Sequence, residues 1–360
     1  MYSEIEARAD RFDKQRKAQK IIYGHNELSH HKVLKCLKWQ IPLTHGKVDI
    51  KYLVKAKKAQ YSNLMVCDNA WLCPVCSYKI LGKRAVEIKK GAEWAINQGY
   101  SLVMLTFTHS HHKGDRLEDL AEKHSKALTE FRAGKAGKKL REKIGCIGRI
   151  TSNEVTYGDN GWHYHSHVLY IIDDIEKIEK REISLKLRWM EILRRNGLSA
   201  SSDNGLNFLY CDNSDISDYM SKWGIDKELA GGNDKSGGKT PFELLEEEED
   251  YPLFLEYAMY FGTHQKDRIR WFRGLKKKAG IKEKTDKELA EITEEERKDI
   301  KIVNSIGIDN WKLVCKHGMR AKVLEAIEKQ KGNIDLLNEL LVSIGGTREE
   351  YKPLIINGIE

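Results

Sequence analysis

The sequence predicts an α+β fold, mainly an antiparallel sheet with flanking helices, and three observations carry that prediction. The segments 146-CIGRITSNEVTY and 162-WHYHSHVLYII are both β-prone and are joined by 158-GDNG, so they predict one hairpin. A dense run, 101-SLVMLTFT, and a short one, 206-LNFLYC, supply further strands. Segments of helical period alternate with these runs over 77–97, 117–131 and 173–196.

Taken in chain order, residues 1–20 predict a charged, exposed helix, and 21–60 mix basic and apolar residues without clear period. Ile80, Val86, Ile88, Trp94 and Ile96 mark the helix that Gly99 can stop. Leu117 to Phe131 is amphipathic. Ile175, Ile178, Ile183, Leu187, Met190 and Leu193 mark the next helix, with Gly197 as its end. A further helix is expected after the capping residues Asp212 or Asn213, ending near Gly224, followed by a polar, glycine-rich mobile loop or lid over 224–240. An acidic helix (241-PFELLEEEED), an aromatic one (252-PLFLEYAMYF) and a mostly helical tail from about 285 complete the chain. The expected organisation is a basic N-terminal region (1–98), a sheet-bearing middle (99–284) and a helical C-terminal region (285–360).

Composition narrows the partner. At 40% hydrophobic and 32% charged residues the chain is globular, and its apolar runs are too short for a membrane helix, so a cytoplasmic location is expected. Its net charge of +8 is uneven: residues 1–100 hold 19 Lys/Arg against 9 Asp/Glu, which favours nucleic acid over a membrane as partner. Seven cysteines in such a chain argue for metal ligation or burial rather than disulfides.

Cys67, Cys73 and Cys76 in 67-CDNAWLCPVC have the spacing of a structural zinc site, which needs a fourth ligand. Cys36 is the best candidate; His25, His30, His31 and His45 compete. His163, His165 and His167 alternate along a strand and so share one face, a pattern that can hold a divalent ion. Glu154, across the hairpin, can add an oxygen ligand suited to Mg²⁺ or Mn²⁺. Asp215, Tyr219 and Lys222 share a helix face, where Lys222 favours an ionised Tyr219 as nucleophile. Tyr257 and Tyr260 have the surroundings of core residues, and Tyr164 points away from the histidine face. The stretch 266–278 offers Lys266, Arg268, Arg270, Arg273, Lys276 and Lys277 for phosphates, with Trp271 for stacking. The run 236-SGGKT is not a phosphate loop, because Asn233 stands where that motif needs glycine.

In this order these segments resemble the rolling-circle plasmid replication initiators (Rep proteins) of the HUH endonuclease superfamily, in the group with an N-terminal Cys-Pro-x-Cys element. The likeness spans roughly 36–280 and rests on 101-SLVMLTFT, 154-EVTYGDNGWHYHSHVL and 215-DISDYMSK. It implies an HUH-type sheet with the histidine strand central, helices on one side, and a nicking and strand-transfer domain over 99–284. It further implies that Tyr219 attacks DNA to leave a 5′-phosphotyrosyl enzyme and a free 3′-hydroxyl. Asp215 stands where the family commonly has glutamate and would activate the terminating nucleophile. The implied partners are plasmid origin DNA, single-stranded or in a hairpin, with a host helicase and polymerase; a homodimer is also allowed. A relaxase or single-tyrosine transposase would share the chemistry, whereas a non-catalytic zinc-containing DNA-binding regulator would leave the histidine strand unused.

Overall fold

The computed structural model describes residues 4–42, 46–210, 238–264, 266–291, 300–350 and 354–355. The strands are β1 (Lys47–Leu53), β2 (Lys58–Ser62), β3 (Ser101–Phe107), β4 (Cys146–Gly158), β5 (Gly161–Ile172), β6 (Leu206–Tyr210), β7 (Ile269–Trp271), β8 (Ile300–Gly307) and β9 (Leu354–Ile355). The longer helices are α1 (Glu4–Tyr23), α2 (Pro74–Asn97), α3 (Leu117–Arg132), α4 (Gly134–Lys143), α5 (Glu182–Arg195), α6 (Tyr251–Thr263), α7 (Ile308–Lys316), α8 (Arg320–Lys329) and α9 (Asp335–Ser343). The α+β prediction holds. Two compact units result: one joins Met1–Ile80 to Lys284–Glu360, and the other is Leu81–Glu283.

In the unit formed by the two chain ends, an antiparallel sheet has the order β2-β1-β8-β9. Val48, Ile50 and Tyr52 alternate with polar residues along β1 and are buried. The C-terminal residues are therefore not only helical, since β8 pairs along the whole of β1. Helix α1 is exposed on one side only, because Phe12, Gln15, Ala18, Gln19 and Ile22 are buried.

The second unit holds an antiparallel sheet of order β6-β3-β5-β4-β7, so the histidine strand β5 is central. Side chains alternate across it. Val103, Leu105 and Phe107 of β3 and Val168, Tyr170 and Ile172 of β5 face α3 and α5, where Phe107, Phe131 and Trp189 meet edge to face. Leu102, Met104, Leu169 and Ile171 point the other way and meet Ile88, Ala92 and Ala95 of α2. Helices thus cover both faces, not the one side that the resemblance implies. The strands are dense in apolar residues because each is buried twice.

The hairpin turns through Asp159 and Asn160, with Gly158 opposite Gly161, as the turn chemistry predicts. Residues 241–250 form two 3-10 turns, Glu243–Leu245 and Glu248–Asp250, rather than a helix. Four successive glutamates repel one another there, and Pro252 starts α6 in its first turn instead.

Candidate metal centres

Two groups of ligand side chains converge among the described residues: Cys36, Cys67, Cys73 and Cys76 in one unit, and Glu154, His165 and His167 in the other. Each is built by local structure that its sequence encodes.

The cysteine group begins at Cys36, which follows the 3-10 turn Lys32–Lys35, and at Cys67, which enters a tight loop. In that loop the Asn69 side-chain oxygen accepts from the amides of Trp71 and Leu72 at 2.9 and 2.7 Å, folding the chain back toward Cys73. Pro74 starts α2, and the Cys73 carbonyl accepts the helix's first hydrogen bond from Ser77, so Cys73 sits at the positive helix end. Cys76 lies one turn later. The Sγ separations are 3.5 Å for Cys36–Cys76, 3.6 Å for Cys67–Cys76 and 3.8 Å for Cys36–Cys73. A tetrahedral zinc with sulfur at its usual bond length needs sulfurs roughly 3.8 Å apart, so the donor set fits that ion. All four cysteines are buried.

Burial pushes the Cys67 thiol well up. Cys73 is buried too, yet its hydrogen bonds with the other three thiols hold it well below the ordinary range. Further donors surround the sulfurs. The Gln15 amide donates to Cys73 Sγ at 3.1 Å, and the Cys67 amide donates to Cys36 Sγ at 3.4 Å. Arg320, from the C-terminal part of the chain, donates to Gln15 Oε1 at 2.8 Å and to the Leu37 carbonyl at 3.0 Å. These supports carry no motif, and the sequence reading does not find them.

The second group follows from sheet register. Glu154 of β4 pairs with His165 of β5, and Ser152 with His167, so one carboxylate and two imidazoles share the face that Leu169 and Ile171 fill deeper in the core. Glu154 Oε2 lies 3.1 Å from His165 Nε2 and 3.2 Å from His167 Nε2, and the two Nε2 atoms are 3.1 Å apart. Three cis ligands of an octahedral ion at ordinary Mg²⁺ or Mn²⁺ distances stand roughly 3.0 Å apart, so these atoms fit one face of such a shell. Thr106 Oγ1 sits 3.0 Å from His167 Nδ1 and orients that ring, a contact legible only once β3 is placed beside β5.

Desolvation keeps His167 below its ordinary value and therefore neutral. Burial alone would raise Glu154, but His165 and His167 outweigh it and hold the carboxyl well down. The neutral imidazole of His167 and the ionised carboxylate of Glu154 are forms in which a divalent ion takes such ligands.

His163 stands outside this convergence. Its ring stacks on His165 at 4.5 Å and on His111 at 4.9 Å, and burial lowers its pKa to about 3. A strand rises about 3.3 Å per residue, so His163 and His167 begin about 13 Å apart and one ion cannot draw on both ends. On the reverse face, Ser166 Oγ meets His124 Nε2 at 3.0 Å and donates to Asn153 Oδ1 at 2.7 Å, and His124 meets His109 at 3.1 Å.

Asp215, Tyr219 and Lys222 lie outside the described residues. Their rivals are accounted for: Tyr257 and Tyr260 are buried on α6, the latter donating to Glu122 at 3.0 Å, and Tyr164 is buried on the reverse face beside His124.

The basic stretch is divided. Arg270, Arg273 and Lys277 are exposed, with Arg270 3.3 Å from Asp267, while Lys266 pairs with Glu122 at 2.9 Å. Arg268 is buried. Lys276, expected among the phosphate ligands, is 1% exposed with its ammonium 2.9 Å from Glu87, so it holds the fold together instead. Trp271 lies against α2 at Gly91, where a Cβ would meet its ring at 2.7 Å.

The chain is similar to "Protein rep" of Streptomyces lividans, 26% identical over a stretch that covers 76% of this chain and 77% of that one. Over a shorter stretch it is similar to a "Neomycin resistance protein" of Streptomyces cyanogenus, 32% identical and covering 30% of this chain and 31% of that one. No protein-family profile matches the chain, and no solved structure matches it. No helix among the described residues is long and apolar enough to cross a membrane.

Proposed function

We propose that this protein is a metal-dependent DNA nickase and strand transferase that initiates rolling-circle replication at a plasmid origin. The observation that carries the reading is the convergence of Glu154 on β4 with His165 and His167 on the central strand β5, within 3.1–3.2 Å, in a chain similar to a Rep protein. A Mg²⁺ or Mn²⁺ ion held there supplies positive charge that polarises the scissile phosphate and neutralises charge developing on it. Thr106 fixes the His167 ring, and Glu154 stays ionised to complete the ligand set.

Tyr219 is the proposed nucleophile, with Lys222 one turn away favouring loss of the phenolic proton. Its oxygen bonds to phosphorus as the bond to the 3′ oxygen breaks, and that oxygen takes up a proton. A 5′-phosphotyrosyl enzyme and a 3′-hydroxyl primer result, and because one phosphodiester is exchanged for another, no ATP is needed. Asp215 is proposed to activate the water or second nucleophile that later resolves the adduct. Cys36, Cys67, Cys73 and Cys76 are proposed to hold a structural Zn²⁺, and the exposed Arg270, Arg273 and Lys277 to contact DNA phosphates.

The test is incubation with a pool of randomised single-stranded DNA and Mn²⁺, followed by recovery and peptide mapping of covalent protein–DNA adducts. The expected adduct is a 5′-phosphate on Tyr219 that is absent from Tyr219→Phe. An adduct on another tyrosine would overturn the site assignment, and no adduct on any pool or replicon DNA would overturn the nickase reading in favour of a binding role.

A further inference from the structure

The unit that contains the four cysteines also contains a groove of about 520 Å³ between the segment Lys38–Gln40 and helix α7. That volume lies within the range of about 300–1,000 Å³ typical of small-ligand sites. Trp311 is buried beneath the groove and fixed by donating from its Nε1 to the Lys38 carbonyl at 2.9 Å. Trp39 beside it is 54% exposed, a large flat ring open to solvent. The Gln40 side chain contributes a buried Nε2 that has no hydrogen-bond partner among the described residues. An orphaned buried donor is costly unless something outside the chain accepts from it.

Around these three residues the charge is mostly positive. Lys38, Lys312 and Lys316 line the groove, and the Lys35 ammonium lies 5.1 Å from the Trp39 ring centroid. Asp309, 3.0 Å from Lys312, is exposed and is the carboxylate paired with these lysines among the described residues.

We infer that this groove binds one unpaired nucleobase of a single-stranded DNA segment. The base stacks on Trp39 and accepts a hydrogen bond from Gln40 Nε2 on its exposed edge, and the flanking phosphates lie against Lys38, Lys312 and Lys316. A duplex cannot present a base face to Trp39, so the site selects single strands. The inference deepens the origin-binding part of the proposed function. It assigns DNA contact to a surface on the cysteine-bearing unit.

The test uses the full zinc-loaded chain and a short fluorescein-labelled oligothymidylate, read by anisotropy. Trp39→Ala is expected to weaken binding about tenfold, with Trp39→Phe restoring most of it. Gln40→Leu should weaken it a few-fold, and the double variant Lys38→Ala/Lys316→Ala should flatten the salt dependence. Undiminished binding by Trp39→Ala, or an equal loss with the matching duplex, would overturn the inference. Photocrosslinking of an iodouracil-substituted strand to the unmodified protein needs no variant to fold: the adduct belongs on the Trp39 peptide, and adducts only elsewhere would also overturn it. Trp39-dependent binding without Mn²⁺-dependent cleavage would retire the nickase reading and leave the groove standing. Cleavage with Trp39-independent binding would do the reverse.

Discussion

The cysteine group and the histidine–glutamate group are two answers to the same problem of presenting ligands to a cation. Four buried sulfurs would fill the shell of a tetrahedral ion, and Gln15 and the Cys67 amide donate to those sulfurs from behind. Glu154, His165 and His167, three groups on one side of a sheet, would hold a divalent ion with positions left for water or a phosphate. A closed shell stabilises a fold, while an open one does chemistry. The difference predicts opposite outcomes when each is broken.

The largest effect is expected from opening the closed site. Cys73→Ser, or prolonged chelation, should remove the zinc and unfold the unit built from the two chain ends, because structural zinc contributes on the order of 10 kcal/mol to its own fold. Metal analysis and thermal denaturation measure this, and retained zinc would erase the distinction. Next, His167→Ala should abolish Mn²⁺-dependent DNA cleavage, a loss of about 10³-fold or more, while zinc content and DNA binding stay near normal. His163→Ala should retain much of that cleavage, since its ring stacks rather than converges.

Acidity sharpens the comparison on the reverse face of the histidine strand. His109 is buried, with its pKa lowered to about 4 by desolvation first and by His111 and His165 next. It binds fewer protons folded than unfolded, so stability is full above its unfolded pKa of about 6.5, falls as pH drops toward 4, and loses up to about 3 kcal/mol. Denaturant midpoints at neutral and acid pH, measured against His109→Gln, should show the variant less acid-sensitive. The smallest effect is expected from Gln15→Leu, which removes the donor to Cys73 and should lower zinc affinity about 10–100-fold in a chelator competition without unfolding the protein.

Legibility in the sequence followed locality. The hairpin and its site were readable because β4 and β5 adjoin, and a period of two placed His165, His167 and Glu154 on one face. His163 shares that face but not the convergence, because parity fixes the face and not the reach. The sheet of the two chain ends stayed hidden: 47-KVDIKYL alternates, but its partner β8 begins only at Ile300, and no local turn announces the pairing. Lys276 shows the limit of composition, because one lysine of a basic run was withdrawn to pair with Glu87 in the interior.

Manganese binding by electron paramagnetic resonance, on zinc-loaded protein without DNA, tests the central claim most directly. One six-coordinate Mn²⁺ per chain is expected, lost in His167→Ala and in Glu154→Gln and kept in His163→Ala. No bound Mn²⁺, or binding undiminished in His167→Ala, would contradict the account of Glu154, His165 and His167 as an open metal centre.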